Sequence, residues 1–381
     1  MDLAEYRSAA RAWLAGNTPA ADGVDAAKTF MARLHDAGYS GITWPAEWGG
    51  QGLTQAEERA FAAAARDFSL PTYVFSIGLG MCGPTLLDRG TPEQKGRFLR
   101  KLLRGEEIWC QLFSEPGAGS DVAGLQTRAE QVEGGWLVNG QKVWTSVAQH
   151  ADRGLLLTRT NADAPKHKGL TMFVVDMRGP GVTVRPLRDM TGRAHFNEIF
   201  FDDVHIPDEN RVGAVDEGWS VAVTTLLHER LSISSGVGMS GQRDNPTSFE
   251  ALSSAVDTGD PLVRDQLVEL YLRSRALALF NQRLSQETKA GIFPGARGSA
   301  AKLLLAELTT FSADLAVSLI GPEAVADGHP LADAIALAPA MSLGGGTNEI
   351  MRNIIGDRVL NLPPEPRVDK NVPFKDLKVN S

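Results

Sequence analysis

The sequence predicts an α+β protein of several domains: a helical domain over residues 1–111, a central antiparallel β domain over 112–214 and a helical domain over 215–381. Two observations support this prediction. The 381 residues exceed the length that one compact core usually serves. The spacing of apolar residues also changes twice, from helical to β-prone near Trp109 and back to helical after Gly218.

The clearest helix of the first domain is predicted in residues 91–105, TPEQKGRFLRKLLRG. Thr91 is a suitable N-cap, Pro92 suits the first turn, and Gln94 completes a capping box with Thr91. Gly105 stands where such a helix ends. Local chemistry therefore predicts both ends of this helix.

The central domain is predicted from short β-prone runs. Residues 135–146, GWLVNGQKVWTS, hold two such runs around Asn139-Gly140, which indicates a hairpin. Four further runs follow with turn residues between them: GLLLTRT, GLTMFVVDM, GVTVRPL and NEIFFDDVHIP. Strands joined by short turns favour antiparallel pairing.

The C-terminal domain shows helical spacing again in residues 262–284, 299–321 and 348–360. An earlier helix is predicted in residues 223–234, VTTLLHERLSIS, because apolar residues recur there at helical spacing. This helix carries Glu229 beside Arg230 in an otherwise apolar run. An ion pair on the solvated face of the helix is the simplest interpretation.

Composition excludes several classes of partner. The net charge of −8 argues against nucleic acid or an anionic membrane surface as the main partner. No run approaches the roughly 20 apolar residues that a membrane span requires, and Asp2 and Glu5 stand where a signal peptide would be basic and apolar. Cys82 and Cys110 fit no metal or redox spacing and are predicted to be small buried residues. We therefore expect a cytoplasmic protein without a metal site.

The most informative segment is residues 111–129, QLFSEPGAGSDVAGLQTRA. Its small residues, from Gly117 to Ser120, allow the backbone to approach a bulky polar ligand closely and to aim amides and a hydroxyl at it. By itself, a glycine-rich turn between a helix and a strand is more often only a turn. Here the whole segment, its place at the helical-to-β junction and the later KVWTS (residues 142–146) agree with one another.

Together these segments resemble the acyl-CoA dehydrogenase family, and the resemblance covers nearly the whole chain. Four more stretches are similar to family segments in the expected order: WPAEWGGQGL, GTPEQKGRFL, RDMTGRAHFNEIFFDDVHIP and GGGTNEIMRNIIGDRVL. The resemblance implies a C-terminal four-helix bundle and FAD bound between the β domain and the C-terminal helices. It also implies oxidation of acyl-CoA thioesters to trans-2-enoyl-CoA, with electrons passed to an electron-transfer flavoprotein.

The resemblance implies that two segments of the chain contact the flavin ring. Gln111, Phe113 and Ser114 match residues that line one edge of the ring, and Ser114 matches a hydrogen-bond donor to it. Trp144 and Ser146 match the pair that covers the ring near its reactive nitrogen. A plain core aromatic is the alternative for Trp144, because tryptophan is bulky and often buried. The motif context favours contact with the flavin.

Further cofactor contacts are implied at two glycine-containing turns. Gly119 and Ser120 match the turn at the FAD pyrophosphate, and Ser120 also lies near the bound thioester in the family. Gly346, Thr347 and Glu349 match cofactor-contacting positions of the C-terminal motif.

The resemblance also raises the question of the catalytic base, which must remove a weakly acidic proton alpha to the thioester carbonyl. Many relatives carry a carboxylate at the position of Gly345, where no side chain is available in this chain. A subset carries the base just before an arginine on the first long helix after the β domain. Glu229 and Arg230 match that pair, so we assign Glu229 as the base and Ser120, Arg230 and Gly345 to the substrate site. Glu349 ranks below Glu229, and the Gly345 N–H remains available to polarise the carbonyl.

Two family elements that grip the FAD of a neighbouring subunit are not evident. One would fall in residues 241–266, where the composition indicates a loop, and the other in residues 317–325, where Ser318 and Pro322 replace the usual pattern. Two interpretations remain. The chain forms a heterotetramer with a related subunit, as do family members that act on bulky steroid side chains, or it forms a homo-oligomer with modified contacts. The heteromer is the favoured interpretation.

Two other functions remain open at this point. One is a non-catalytic subunit that completes the site of another chain, against which the intact residues 111–120 and 144–146 and Glu229 argue. The other is an oxidase or monooxygenase, which the same fold permits.

Overall fold

The computed structural model describes residues 2–20, 23–235, 245–290, 292, 295–367 and 369–377, with the backbone alone at 233–235 and 288–289. Within these residues the chain runs from helices through a β-sheet to helices, which confirms the predicted architecture. The first domain contains α1 (Leu3–Asn17), α2 (Val24–Asp36), α3 (Gln55–Ala65), α4 (Gly83–Arg89) and α5 (Pro92–Leu103).

Helix α5 begins and ends as its sequence predicts. The Thr91 side chain accepts a hydrogen bond from the Gln94 backbone N–H, and the Gln94 side chain accepts one from the Thr91 N–H, which is a complete capping box. Gly105 follows the helix at φ +70°, and a Cβ there would lie 2.6 Å from Met31 Cβ. A left-handed, crowded position of this kind requires glycine.

The β domain is one sheet in the order β6-β7-β3-β2-β4-β5-β8, with β1 paired to β4. Its strands are β1 (Trp109–Leu112), β2 (Arg128–Val132), β3 (Gly135–Ser146), β4 (Arg153–Arg159), β5 (Leu170–Asp176), β6 (Val182–Leu187), β7 (Phe196–Pro207) and β8 (Arg211–Val212). Most pairs are antiparallel as predicted. The β1–β4 pair and the short β2–β4 contact are parallel, so the prediction of a purely antiparallel sheet was wrong at these positions.

The predicted hairpin at Asn139-Gly140 was also wrong, because β3 continues through these residues. The chain instead turns at Gly134 (φ +79°), between β2 and β3. Gly140 marks a shift in the register between β3 and β7. A Cβ at Gly140 would lie 2.6 Å from Thr127 Cα, so the glycine permits a close approach of two backbones and not a reversal.

Strands β4 and β5 are buried on both faces, which explains their continuous apolar sequences. Leu156 and Phe173 belong to one apolar cluster, which includes residues of α1 and α2. The neighbouring Leu155 and Met172 belong to a second cluster, which includes residues of α4, α5 and the next helix, α6 (Gly218–Ser235). The two-residue period of the strands therefore joins the sheet to different helices on its two faces.

The C-terminal helices after α6 are α7 (Phe249–Ala255), α8 (Pro261–Lys289), α9 (Gly298–Ile320), α10 (Pro330–Leu343) and α11 (Asn348–Arg358). A third cluster packs α7, α8, α9 and α10 together through buried leucines such as Leu267 and Leu315. By length and composition alone, Gly295–Ile320 is long and apolar enough to cross a membrane, although Lys302, Glu307 and Asp314 interrupt its apolar run. The packing of this segment in the cluster gives its composition a second explanation, a bundle core.

The last described segment, residues 369–377, returns to the β domain. The Phe374 N–H donates to Ala164 O (2.9 Å), and the Phe374 ring lies under the Arg159 guanidinium at 3.7 Å. Arg159 in turn donates to Ala123 O (2.6 Å) in the turn that follows Ser120. The C-terminal segment thus supports the glycine-rich turn from behind.

Candidate active site

The candidate site lies where β1, α6 and α9 approach one another. Glu229 on α6 accepts a hydrogen bond from Gln111 Nε2 on β1, with 3.0 Å between Nε2 and Oε2. Helix α6 buries Val221, Ala222 and Thr225 and packs on α4, which brings the Glu229 carboxylate to the sheet. Polar contacts add to this packing and fix the position of α6 on α4: Thr85–Thr225 (3.1 Å), Arg89–Thr224 (3.0 Å) and Asp88–His228 (2.8 Å).

The surroundings of Glu229 favour its protonated form. Burial raises the pKa of Glu229, while the hydrogen bond from Gln111 and the positive charges of Arg230 and Lys302 act in the opposite direction. Arg230 Nε donates to Leu226 O (2.9 Å) on its own helix. Because Glu229 is partly buried and accepts a hydrogen bond from Gln111, the simple solvated ion-pair interpretation does not describe it.

Lys302 is a functional candidate that the sequence interpretation missed. Its side chain is 1% exposed, and its ammonium donates to Gly346 O at 2.6 Å. Burial lowers the pKa of Lys302, and Glu229 and Glu349 raise it. A signal was present in the sequence, because Lys302 interrupts the apolar run SAAKLLLAEL as Glu229 interrupts that of α6.

Glu349 differs from Glu229 in exposure and in the direction of its pKa shift. It lies in the first turn of α11, whose N-cap is Thr347, and its side chain is 76% exposed. Its own backbone N–H, and then the Thr347 side chain, lower the pKa of Glu349. A solvated carboxylate held in its charged form is a poor proton acceptor, so Glu229 is the better candidate for the base.

A buried ion pair joins the two predicted flavin segments. Lys142 on β3 is fully buried and donates to Glu115 Oε1 (2.8 Å) and to Phe113 O (2.9 Å). Burial would raise the pKa of Glu115, but Lys142 and the bonds from Gln126 and Thr127, just before β2, lower it overall. The Val143 N–H also donates to Ser114 O (2.9 Å). The pair therefore positions Phe113 and Ser114 against the strand that carries Trp144.

Trp144 is 57% exposed, so the core-aromatic alternative does not hold. Its φ is +59°, in the region that residues other than glycine rarely adopt, and the β3–β7 register shifts between Lys142 and Thr145. The indole contacts the Phe196 ring edge-to-face at 5.7 Å between centroids. A strained backbone that holds a large apolar side chain outward indicates a binding surface. Ser146, also assigned to the flavin, ends the same strand opposite Phe196.

The residues present fit FAD. Gln111 Oε1 is a buried acceptor without a partner among the described residues, and Trp144 on β3 offers an uncovered ring. Gly119 and Ser120 are exposed, and a Cβ at Gly119 would meet no described atom within 4 Å, which leaves room for a ligand. Behind this turn, Lys166 pairs with Asp121 at 2.7 Å. The cofactor roles of these residues stay predictions.

The partly buried Glu229 and the buried Lys302 thus lie at the junction of the β domain and the C-terminal helices. Sequence profiles identify the class of protein. The profile described as acyl-CoA dehydrogenase, N-terminal domain, matches residues 2–106, that of the middle domain matches residues 110–204, and that of the C-terminal domain matches residues 216–360. The chain belongs to the acyl-CoA dehydrogenase family, whose members are FAD-dependent oxidoreductases.

Known proteins of this family resemble the chain to different extents. It is 41% identical over 333 residues to the acyl-CoA dehydrogenase FadE34 of Mycobacterium tuberculosis, which covers 87% of the chain but only 45% of FadE34. It is 36% identical over 389 residues to the acyl-CoA dehydrogenase IpdE1 of the same organism, covering 96% of the chain and 99% of IpdE1. Among solved structures, the Tcur3481–Tcur3483 steroid ACAD is 26% identical with a TM-score of 0.79, covering 96% of this chain and 100% of that one.

Proposed function

We propose that the chain dehydrogenates an acyl-CoA thioester between Cα and Cβ, with Glu229 as the base and trans-2-enoyl-CoA as the product. The observation that carries this proposal is the partly buried Glu229 carboxylate, held by Gln111 at 3.0 Å beside the predicted flavin edge. A carboxylate whose pKa is raised by burial is a stronger base than one in water, as removal of a weakly acidic proton requires.

Each residue of the candidate site has a separate role in this reaction. Glu229 takes the proton from Cα, and the electron pair left behind forms the Cα–Cβ double bond as a hydride departs from Cβ. FAD, when bound, supplies the acceptor for that hydride. The Gly345 N–H polarises the thioester carbonyl, because an amide aimed at the oxygen stabilises the negative charge that develops there. Arg230 and Ser120 complete the substrate site, and Gln111, Phe113, Ser114, Gly119, Trp144, Ser146, Gly346, Thr347 and Glu349 hold the cofactor.

We further infer that the chain works as a heteromer with a related subunit and transfers electrons to an electron-transfer flavoprotein. The similar steroid ACAD is designated by two different chain names, Tcur3481 and Tcur3483. Val268, Leu272 and Leu279 lie along one face of α8 and are exposed in the single chain, so an assembly would bury them. The same resemblance favours a bulky acyl group, such as a steroid side chain.

An anaerobic titration tests this function. The purified flavoprotein is mixed with butyryl-, isobutyryl-, octanoyl- and palmitoyl-CoA and with a CoA thioester of a steroid side chain. We expect one of these to bleach the flavin spectrum and form an enoyl-CoA, with little oxygen uptake in air. Rapid oxygen consumption with the same substrate would favour an oxidase or monooxygenase. Failure of every thioester to bleach a fully loaded protein contradicts the proposal.

A further inference from the structure

Lys302 is buried in α9 and has no role in the reaction described above. Its side chain is 1% exposed, and its ammonium donates to Gly346 O at 2.6 Å. An ammonium has three donors, and removing it from water costs several kcal/mol unless strong partners compensate. A single neutral carbonyl, the one partner found within the described residues, compensates only part of that cost. The lysine therefore needs an explanation beyond packing.

The carbonyl that Lys302 contacts belongs to the glycine turn, residues 344–346, which joins α10 to α11. Gly345 has φ +68° and Gly346 has φ +90°, so two successive residues leave the helical conformation. The ends of the turn are anchored by the bonds Gly344 N–H to Ala340 O and Met351 N–H to Thr347 O, both 2.9 Å. Between these anchors, the Lys302 ammonium holds the carbonyl of Gly346, two peptide units after the Gly345 N–H, and so restricts the conformations that the turn can adopt.

Lys302 also interacts electrostatically with two acids on different helices. Glu229 of α6 and Glu349 of α11 both raise the pKa of Lys302 against the lowering effect of burial. Around Glu229, the other facing groups are Gln111 of β1, Arg230 of α6 and the Cys82 thiol, whose pKa burial raises. Lys302 is thus the cation that reaches the candidate base from α9.

We propose that Lys302 is a positioning residue of the dehydrogenation site: its ammonium fixes the glycine turn so that the Gly345 N–H faces the thioester carbonyl beside Glu229. This inference rests on the proposed function for its role in catalysis. The lysine touches neither substrate nor cofactor in this account. It acts through the Gly346 carbonyl and through its charge.

The first test measures the turn itself and requires no substrate. Hydrogen exchange of the amides of residues 344–351 is compared in the FAD-loaded wild type, Lys302→Met and Lys302→Gln. Methionine removes the charge and the donor, whereas glutamine removes the charge but keeps an N–H donor. We expect exchange at least tenfold faster in Lys302→Met, with smaller changes in Lys302→Gln, and unchanged exchange in α5. Wild-type exchange in Lys302→Met overturns the proposal.

The second test measures flavin bleaching against pH with the thioester from the panel above that reduces the wild type fastest. We expect Lys302→Met to keep its FAD, to reduce it at least tenfold more slowly, and to need a higher pH for half of its maximal rate. Lys302→Arg, which keeps a cation and donors, should recover part of the rate. Lys101→Met, a half-exposed lysine of α5, serves as the control.

The outcomes separate this inference from the proposed function. If the wild type is bleached while Lys302→Met keeps the wild-type rate and pH dependence, the role of Lys302 is refuted and the function stands. If no thioester bleaches the wild type, the function fails, and the exchange experiment alone decides whether Lys302 holds the glycine turn. If Lys302→Met does not fold, the comparison of Lys302→Gln with Lys302→Arg supplies both measurements, and equal rates and equal exchange in those two variants refute the proposal.

Discussion

Gln111 and Glu229 are 118 residues apart in the sequence, yet Gln111 Nε2 donates to Glu229 Oε2 across 3.0 Å. The hydrogen bond joins the first strand of the β domain to the first long helix of the C-terminal domain. It gives the carboxylate a fixed direction, and it leaves Gln111 Oε1 buried without a partner in the described part of the chain. One side chain thus orients the candidate base and presents an acceptor to the predicted flavin edge.

The base assignment predicts that Glu229→Gln binds FAD but loses dehydrogenation. The amide keeps the size and hydrogen bonding of the carboxylate but cannot accept a proton, so the rate of flavin bleaching should fall by about a hundredfold or more. Glu209→Gln is the control, and it should stay within a few-fold of the wild type because the Glu209 side chain is 71% exposed and lies outside the candidate site. Stopped-flow absorbance measures both variants. A wild-type rate in Glu229→Gln would reject the assignment.

The raised pKa of Glu229 predicts a pH-dependent difference in stability. The folded-state pKa lies above the ordinary value of 4.5, so the neutral acid is the form that the fold favours. Its contribution to stability is present below the unfolded-state pKa and is lost as the pH rises through the folded-state pKa. Glu229→Gln stays neutral throughout, so its thermal midpoint should rise relative to that of the wild type from about pH 5 to about pH 8. Midpoints that differ by a constant amount across this range would argue against a partly buried, titrating Glu229.

The exposed indole of Trp144 predicts loss of flavin in Trp144→Ala. A large apolar surface beside the predicted ring would disappear and water would enter in its place. We expect bound FAD to fall severalfold after extensive dialysis, as measured by absorbance and protein assay. Tyr73→Ala removes a similarly exposed aromatic, 54% against 57%, from the helical domain and should leave the flavin content unchanged. Equal FAD retention in the two variants would show that Trp144 does not cover the cofactor.

Residues 241–266 and 317–325 lack the family elements that contact the FAD of a neighbouring subunit. This predicts incomplete FAD binding when the chain is expressed alone. Each lost charge-assisted contact to the pyrophosphate should cost ~1.5–3 kcal/mol, or about tenfold or more in affinity. Co-expression with a related chain that carries both of these family elements should restore full occupancy, with one FAD bound to each copy of the present chain. Flavin-to-protein ratio and mass by light scattering measure this. A stable homotetramer with one tightly bound FAD per chain favours the homo-oligomer instead.

The docking of residues 369–377 on the β domain predicts that substitutions at the neighbouring positions Phe374 and Lys375 differ in their effect on the stability of this segment. Phe374 is buried under the Arg159 guanidinium, so Phe374→Ala should weaken docking of residues 369–377 by about 3 kcal/mol. Exchange of the Lys375 amide, which donates to Ala162 O, should then accelerate by about a hundredfold. Lys375→Ala removes only an exposed ion pair with Asp163 and should change exchange of that amide by less than about fivefold. Similar effects of both changes would contradict the proposed packing.

Much of the candidate site was predictable because the family motifs are contiguous. Gln111, Ser114 and Ser120 fall within one segment, and Glu229 was predicted from the missing side chain at Gly345. Lys302 was missed because its importance depends on burial and on the Gly346 carbonyl, 44 residues away. The Glu115–Lys142 pair was missed for the same reason, since each residue alone looks like an ordinary surface charge.

Local features of this protein were determined by the sequence itself. The capping box of Thr91 and Gln94 depends on residues within one helical turn, and the burial of β4 and β5 on both faces agrees with their continuous apolar sequences. The tertiary structure alone decided that Glu229 is partly buried and hydrogen-bonded to Gln111 while Glu349 is exposed. The physical reason is desolvation: the pKa of a carboxylate depends on which distant residues exclude water from it, and chain folding sets those neighbours.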